Sequence, residues 1–339
     1  MAEAKKEKPE FVVGVDFGGT KILAAVLSPE GSIVGREKMR TRAERDASEV
    51  LQRIATCVEK AVESAGVPRD RIIAVGVGAP GPLNPDTGVI EAPPNFPGWK
   101  EIPLKTILEK HLDLRVHVEN DVNAGTYGEY RMGAGIGVRD LVGIFIGTGI
   151  GGGLILNGRL YTGFNRTAGE VGHITLVPNG PKCGCGNLGC YEALAGRRAV
   201  VQRIHDLVAE GKAKGSSVLE TVGGDLSAVR SNHLAEGWKT GDKATVTALT
   251  EMAEYTGIVI ADIINFLNPE LFVLGGGVIE ALGAELVPLI DKAARLHAMP
   301  STSRNVAIRR AMLGDDAVVI GAALLAHERS APEHGSKGA

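Results

Sequence analysis

The chain has 339 residues, enough for two domains of ordinary size, each with its own core. Hydrophobic residues make up 44% and charged residues 23%, the profile of a soluble globular protein, and no run is long enough for a transmembrane helix. A formal net charge of −3 argues against a broad surface for nucleic acid or anionic membrane, and the charged start MAEAKKEKPE has no signal-peptide run behind it, so the cytoplasm is the expected location.

In chain order, residues 11–17, 22–28 and 32–38 are β-branched and apolar with short breaks between them, which predicts a three-stranded antiparallel meander. Helical spacing predicts a helix over 47–66, ended by a glycine. A buried strand over 72–79 follows, then the loop PGPLNPDTGVIEAPPNFPGW, a short helix near 103–112, a strand over 115–120 and a helix over about 121–133. The order then recurs. A strand over 141–147, a hairpin turning at Asn157-Gly158 and the segment after His173 read as a second meander. A helix around 245–267, a strand over 271–276, a helix from about 278, a strand over 305–311 and a last helix over 316–327 complete it. The sequences of the two halves are not visibly repeated, so the duplication lies in element order. The stretch 211–244 breaks the pattern and reads as a helical or loop insertion, and residues 1–10 and 328–339 read as disordered tails.

Three glycine runs stand at predicted strand ends. In DFGGTK, Asp16 precedes Gly18 and Gly19 in the turn, then Thr20 and Lys21. The glycines let backbone N–H groups approach a phosphate, Asp16 could orient Mg²⁺ through water, and Lys21 would add a point charge. A tight turn with a buried aspartate explains the six residues equally well, and they lack the spacing of a P-loop. GTGIGGG, with Gly147, Thr148, Gly149 and Gly151, satisfies G-x-G-x-x-G, but it leads into a hairpin where a dinucleotide fingerprint opens a helix. LGGGV, with Gly275, Gly276 and Gly277, joins a strand to a helix, and packing alone is its alternative. Together the runs favour a nucleotide held between the halves.

The cysteines follow a different logic. Cys183, Cys185 and Cys190, with His173 upstream, supply four ligands of the types that a tetrahedral structural Zn²⁺ requires. Four ligands leave no open position for water, so such a metal shapes the site and does no Lewis-acid chemistry. The alternative is three small apolar residues. Cys57 falls on the apolar face of a helix and reads as core.

DFGGTK, GTGIGGG, GEVGHI, CGCGNLGCYE and LGGGV, in this order and spacing, resemble the ROK family of bacterial sugar kinases and sugar-responsive repressors, over about residues 11–327. The resemblance implies an α/β actin/hexokinase-like fold, a pair of duplicated ribonuclease-H-like domains with an active-site cleft between them. The smaller domain would span 11–120, completed by helix 316–327, and the larger 121–315, carrying the zinc segment 173–190. Family repressors carry a further helix-turn-helix domain before the first strand, where this sequence has about ten residues. A kinase is therefore expected.

The first two glycine runs are then similar to the family's ATP phosphate loops, and LGGGV to its adenosine-side loop. In END, Asn120 is implied to contact a sugar hydroxyl and Asp121 to be the catalytic base, although Asp121 alone reads equally well as a helix cap. Glu170 and His173 match the family's sugar-contacting E-x-G-H, and Glu192 its glutamate beyond the last cysteine. Asn95 and the backbone around Gly81 fall where substrate-loop contacts are expected. A zinc bond at one imidazole nitrogen of His173 would leave the other for the sugar.

The expectation is an ATP- and Mg²⁺-dependent hexose kinase of carbohydrate metabolism. Glucose is favoured by the Asn95 loop and the intact E-x-G-H, with glucose 6-phosphate as product. Kinases for N-acetylglucosamine, N-acetylmannosamine, mannose and fructose share most of these residues. Polyphosphate-using relatives tend to lack the cysteines, which favours ATP as donor. A homo-oligomer, dimer or tetramer, is expected, with no nucleic-acid or membrane partner. A non-catalytic sugar sensor would require loss of Asp121 or of a phosphate loop, and neither is lost.

Overall fold

The computed structural model describes residues 10–93, 96 and 98–330, so Asn95 and most of both tails lie outside the described residues. The chain forms two compact units. One comprises the residues up to Met132, 163–167 and those from Asp315; the other comprises 133–162 and 168–314.

In the first unit the opening meander is β1 (Phe11–Phe17), β2 (Lys21–Leu27) and β3 (Ile33–Arg40), paired antiparallel. Helix α1 (Ala47–Ala65) begins where the Asp46 carboxylate accepts the Glu49 N–H and stops where Gly66 turns left-handed at φ 64°. Strand β4 (Ile72–Ala79) leads into the two-residue strands β5 (Leu83–Asn84), β6 (Val89–Ile90) and β7 (Ile102–Pro103). Helix α2 (Leu104–Leu112), strand β8 (Arg115–Asn120) and helix α3 (Asp121–Met132) follow. The main sheet runs β3-β2-β1-β4-β8, with β4 and β8 parallel to β1. Its core joins Val13, Val15 and Phe17 to Leu51, Ile54 and Val58 of α1 and to Leu104 and Leu108 of α2. Phe96 stacks at 4.8 Å on Phe17 and at 4.6 Å on Trp99, which fixes the loop just past Asn95 to the end of β1. Burying one such aromatic contributes about 1.5–3 kcal/mol.

The C-terminal helix, Ala317–Ser330, crosses this sheet at backbone contact. A Cβ at Gly14 would lie 1.8 Å from the Val319 carbonyl oxygen, one at Gly76 1.9 Å from that of Ala322, and one at Gly321 1.7 Å from that of Ala124 in α3. Only glycine permits these approaches. In its last turn the Arg329 guanidinium donates to buried Glu119 at 2.6 Å, and Ser330 pairs with His117 at 2.9 Å. The helix therefore reaches Ser330, past the expected start of the tail. Its packing on α3 keeps that helix in the first unit, so the division expected at 120/121 falls after Met132.

The second unit opens with β9 (Leu141–Ile146), β10 (Ile150–Leu156) and β11 (Arg159–Leu160). The hairpin turns at Asn157 and Gly158, with φ 52° and 74°. Helices α4 (Tyr191–Ala195), α5 (Arg197–Ala209), α6 (Ser217–Thr221), α7 (Ser231–Lys239) and α8 (Lys243–Leu267) precede β12 (Leu271–Gly275). Helices α9 (Gly277–His297) and α10 (Pro300–Ser303) and strand β13 (Ala307–Arg310) complete it. The sheet runs β11-β10-β9-β12-β13, with β12 parallel to β9 and β13. Each unit thus has three antiparallel strands followed by two parallel ones, the ribonuclease-H-like order expected.

The expected strand after His173 is absent. The meander is completed by β11, and residues 174–190 carry only two isolated bridges, Thr175 with Cys190 and Lys182 with Leu188, because proline and glycine interrupt the alternation. Within 211–244, α6, the turn Leu226–Ala228 and α7 dock through buried Val218, Val229 and Leu234. Among the described residues no helix is long and apolar enough to cross a membrane.

Candidate active site

Parallel register in the first unit sets Asp16 beside Gly78, and Gly78 beside Glu119, so the carboxyl ends of β1, β4 and β8 form one row. Open α/β sheets take ligands outside such ends. The Asp16 side chain is 14% exposed. Burial pushes its pKa up to about 6, against the pull of the Lys21 ammonium 3.8 Å away. Lys21, expected as a point charge for phosphate, lies 2.7 Å from Asp315, which also faces Lys38 at 3.7 Å. The Gly18 N–H, expected to point at a phosphate, instead donates to the Lys21 carbonyl at 3.0 Å and closes the turn. The open end of that turn is Gly19 and Thr20.

Beyond β8, the Asn120 amide oxygen accepts the N–H groups of Val122 at 2.9 Å and Asn123 at 3.1 Å. Asn120 is therefore the cap of α3, a role worth about 1 kcal/mol. Asp121 is the first helical residue, its carboxylate accepting the Val122 N–H at 2.9 Å, where the positive helix end favours the anion. Glu119, which sequence reasoning passed over, accepts from the Asn120 N–H at 3.0 Å and the Asn123 amide at 3.1 Å. A Cβ at Gly81 would lie 3.6 Å from Asn120 Nδ2, so the amide faces the Gly81 backbone; the Gly81-Pro82 bond is cis.

In the second unit, Phe145 pairs with Gly275, which brings the second and third glycine runs to neighbouring strand ends. Gly147 donates its N–H to the Gly149 carbonyl at 2.9 Å, again closing the turn. Ile150 donates to Glu192 Oε2 at 2.8 Å, and a Cβ at Gly149 would sit 2.2 Å from that oxygen. Gly151 lies inside β10, opposite Phe145. Gly275 and Gly276 are demanded by β9, since a Cβ would meet the Phe145 ring at 2.7 Å or the Ile146 carbonyl at 2.6 Å. Gly277 opens α9.

The cysteine segment wraps around His173, which ends a short 3₁₀ turn. His173 Nδ1 is 3.6 Å from Cys183 Sγ, Cys185 Sγ is 3.7 Å from Cys190 Sγ, and all four donor atoms lie within 4.8 Å of one another. A tetrahedral zinc with bonds of about 2.3 Å to sulfur and about 2.0 Å to nitrogen has edges of about 3.8 and about 3.6 Å. The donors fit that ion in chemistry, and the His173–Cys183 and Cys185–Cys190 pairs match its edges. The other ring nitrogen, Nε2, faces Glu170 Oε2 at 3.8 Å. Glu192 follows Cys190 in α4 and turns its second oxygen to within 3.8 Å of Cys183 Sγ. Cys57 is buried in the core of the first unit.

One cation that sequence reasoning missed lies against the second run. Arg197 donates its backbone N–H to the Gly147 carbonyl at 3.1 Å and its guanidinium to Thr148 Oγ1 at 2.8 Å. The available signal was an arginine opening a helix just after the cysteine segment.

The chain is 36% identical over 319 residues to the glucokinase of Streptomyces coelicolor, covering 94% of this chain and 98% of that one. It is 35% identical over 320 residues to the glucokinase of Halalkalibacterium halodurans, covering 94% and 96%. Among solved structures it is similar to a ROK family glucokinase from Streptomyces griseus in complex with glucose and AMPPNP, with a TM-score of 0.81, 35% identity, and 94% and 99% of the two chains covered. Residues 12–329 match the ROK family, and the chain belongs to it.

Proposed function

We propose that this chain is a cytoplasmic ATP-dependent glucokinase, transferring the γ-phosphoryl group of ATP to the 6-hydroxyl of glucose. The observation that carries the reading is likeness across 94% of the chain to an enzyme whose structure holds glucose and a non-hydrolysable ATP analogue. The local chemistry agrees with it. Asp121 accepts the proton of the attacking hydroxyl from its place at the start of α3. With Asn120 Oδ1 bound to that helix, Nδ2 is the atom that donates to a sugar oxygen. Glu170, His173 through Nε2, and Glu192 hold further hydroxyls, and Asn95 and the Gly81 backbone are taken as further sugar contacts.

Gly19, Thr20, Thr148 and Gly149 receive the phosphates, and Gly277 the adenosine side. Asp16 would hold Mg²⁺ through water, and that ion, when bound, neutralises charge on the transferring phosphoryl group. His173, Cys183, Cys185 and Cys190 would hold a structural zinc, whose closed ligand set fixes the ring of His173. The enzyme assembles as a homo-oligomer.

A coupled ATP-consumption assay over a panel of hexoses and amino sugars tests the reading. Glucose is expected to react fastest. No turnover with any sugar sinks the kinase reading, and a strong preference for an N-acetyl sugar sinks the glucose assignment alone. Asp121→Asn is expected to lower kcat by about 10²–10⁴-fold while calorimetry shows glucose still binding.

A further inference from the structure

The second glycine run poses a problem of charge. Its backbone N–H groups suit phosphate oxygens, but the run GTGIGGG contains no cation. Arg197 and Arg198 touch it, and the charges of Arg198 and Arg230 both act on Arg197. Arg230 donates to the Ser227 and Val229 carbonyls at 2.6 and 3.3 Å, which ties it to its own turn. Arg198 is exposed and touches the run only through its backbone N–H, 3.5 Å from the Thr148 carbonyl.

Arg197 is different. It is half-buried, its one side-chain hydrogen bond among the described residues goes to Thr148 Oγ1 at 2.8 Å, and no described carboxylate lies within ion-pair distance. Glu192, on the preceding helix, turns toward the Ile150 N–H instead. A partly buried guanidinium flanked by two like charges lacks a counter-ion, and burial and those neighbours hold its pKa below the ordinary arginine value. Its backbone is anchored on the Gly147 carbonyl at 3.1 Å, so the cation cannot easily leave the run. Because the Thr148 hydroxyl accepts from Arg197, its own O–H is left to donate, the polarity that a phosphate oxygen requires.

We propose that Arg197 is a phosphate ligand of the bound nucleotide, acting with the Thr148 hydroxyl as the cationic part of the second glycine run. One Nη group holds Thr148. The remaining donors of the planar guanidinium are free for the β- or γ-phosphate, in the geometry that favours arginine over lysine at phosphate. The proposal rests on reading GTGIGGG as a phosphate loop, and it does not depend on which sugar is phosphorylated.

Calorimetric titration with AMPPNP, ADP and AMP, in Mg²⁺ and without sugar, tests it on the full chain. Arg197→Ala is expected to weaken AMPPNP by about tenfold or more and to leave AMP within about twofold. Arg197→Gln can still donate to Thr148 without the charge, and it is expected to lose the same preference for the triphosphate. Arg197→Lys is expected to restore part of it. If Arg197 were only a strut for the loop, alanine would weaken all three nucleotides by one factor and glutamine would rescue them, and either result overturns the proposal. Unchanged AMPPNP affinity in a folded Arg197→Gln protein overturns it as well. A wild-type protein that shows this nucleotide pattern but phosphorylates no hexose would sink the sugar-kinase reading and leave Arg197 standing.

Discussion

Asp16 shows two electrostatic effects opposing each other at one carboxyl group. Burial disfavours its charge, the ammonium of Lys21 favours it, and burial prevails at a pKa of about 6. An unfolded aspartate titrates near about 3.9, so the folded group binds its proton more tightly. Its contribution to stability is therefore fully present below about pH 3.9 and lost as pH rises through about 6. Cation binding needs the opposite form. We predict that affinity for Mg²⁺–AMPPNP falls as pH drops through about 6, while the ligand-free protein gains relative thermal stability over the same interval. Asp16→Asn should abolish both trends in titration calorimetry and melting curves, and a persisting trend would place the group elsewhere. The position of Asp16 could be read from its strand and glycines. The engagement of Lys21 could not, because its partner Asp315 is 294 residues away. Arg197 escaped for a related reason: arginines at a helix start are common on exposed faces, and the lack of a described carboxylate beside this one is a fact of three dimensions.

Among the elements, the segment from Glu170 to Arg197 joins three chemistries over a short length. His173 turns one ring nitrogen to the thiols and the other to Glu170, and Glu192 reaches from the thiol cluster to the glycine run. The cysteines were legible as a cluster with His173 because their spacing leaves few other uses. The absence of a strand around them was less legible, since Ile174 and Leu176 flank Thr175 in strand-like alternation until the proline and glycines intervene. We predict about one zinc per chain by elemental analysis, and none in Cys190→Ser. In that variant, hydrogen exchange should accelerate over 170–192 and the KM for glucose should rise at least about tenfold, while exchange in β1, β4 and β8 stays unchanged. Metal-free protein with native exchange would refute the zinc.

At the scale of the whole molecule, the duplication was legible because each half repeats three antiparallel strands and two parallel ones with turn residues at the breaks. The division between the units was not. It depends on Gly14 of β1, Gly76 of β4 and Gly321 of the C-terminal helix, each at backbone distance from its neighbour, and a glycine inside an apolar helix gives no hint of that neighbour. A chain ending at Gly314 is expected to keep the cooperative melting of the second unit and lose that of the first. It would uncover the face of β1 and β4 and leave buried Glu119 without Arg329. Limited proteolysis reads the difference, and a truncated chain with β1 and β4 still protected would contradict the role given to that helix.

The same arrangement sets an order in time. The first unit is begun by the earliest residues and closed by Ala317–Ser330, with nearly the whole second unit encoded between them. At about 5–20 residues per second of synthesis, its sheet waits roughly 10–40 s for the helix that covers it. The second unit is complete once Gly314 is made, so on the ribosome the later-encoded half can finish folding before the earlier one.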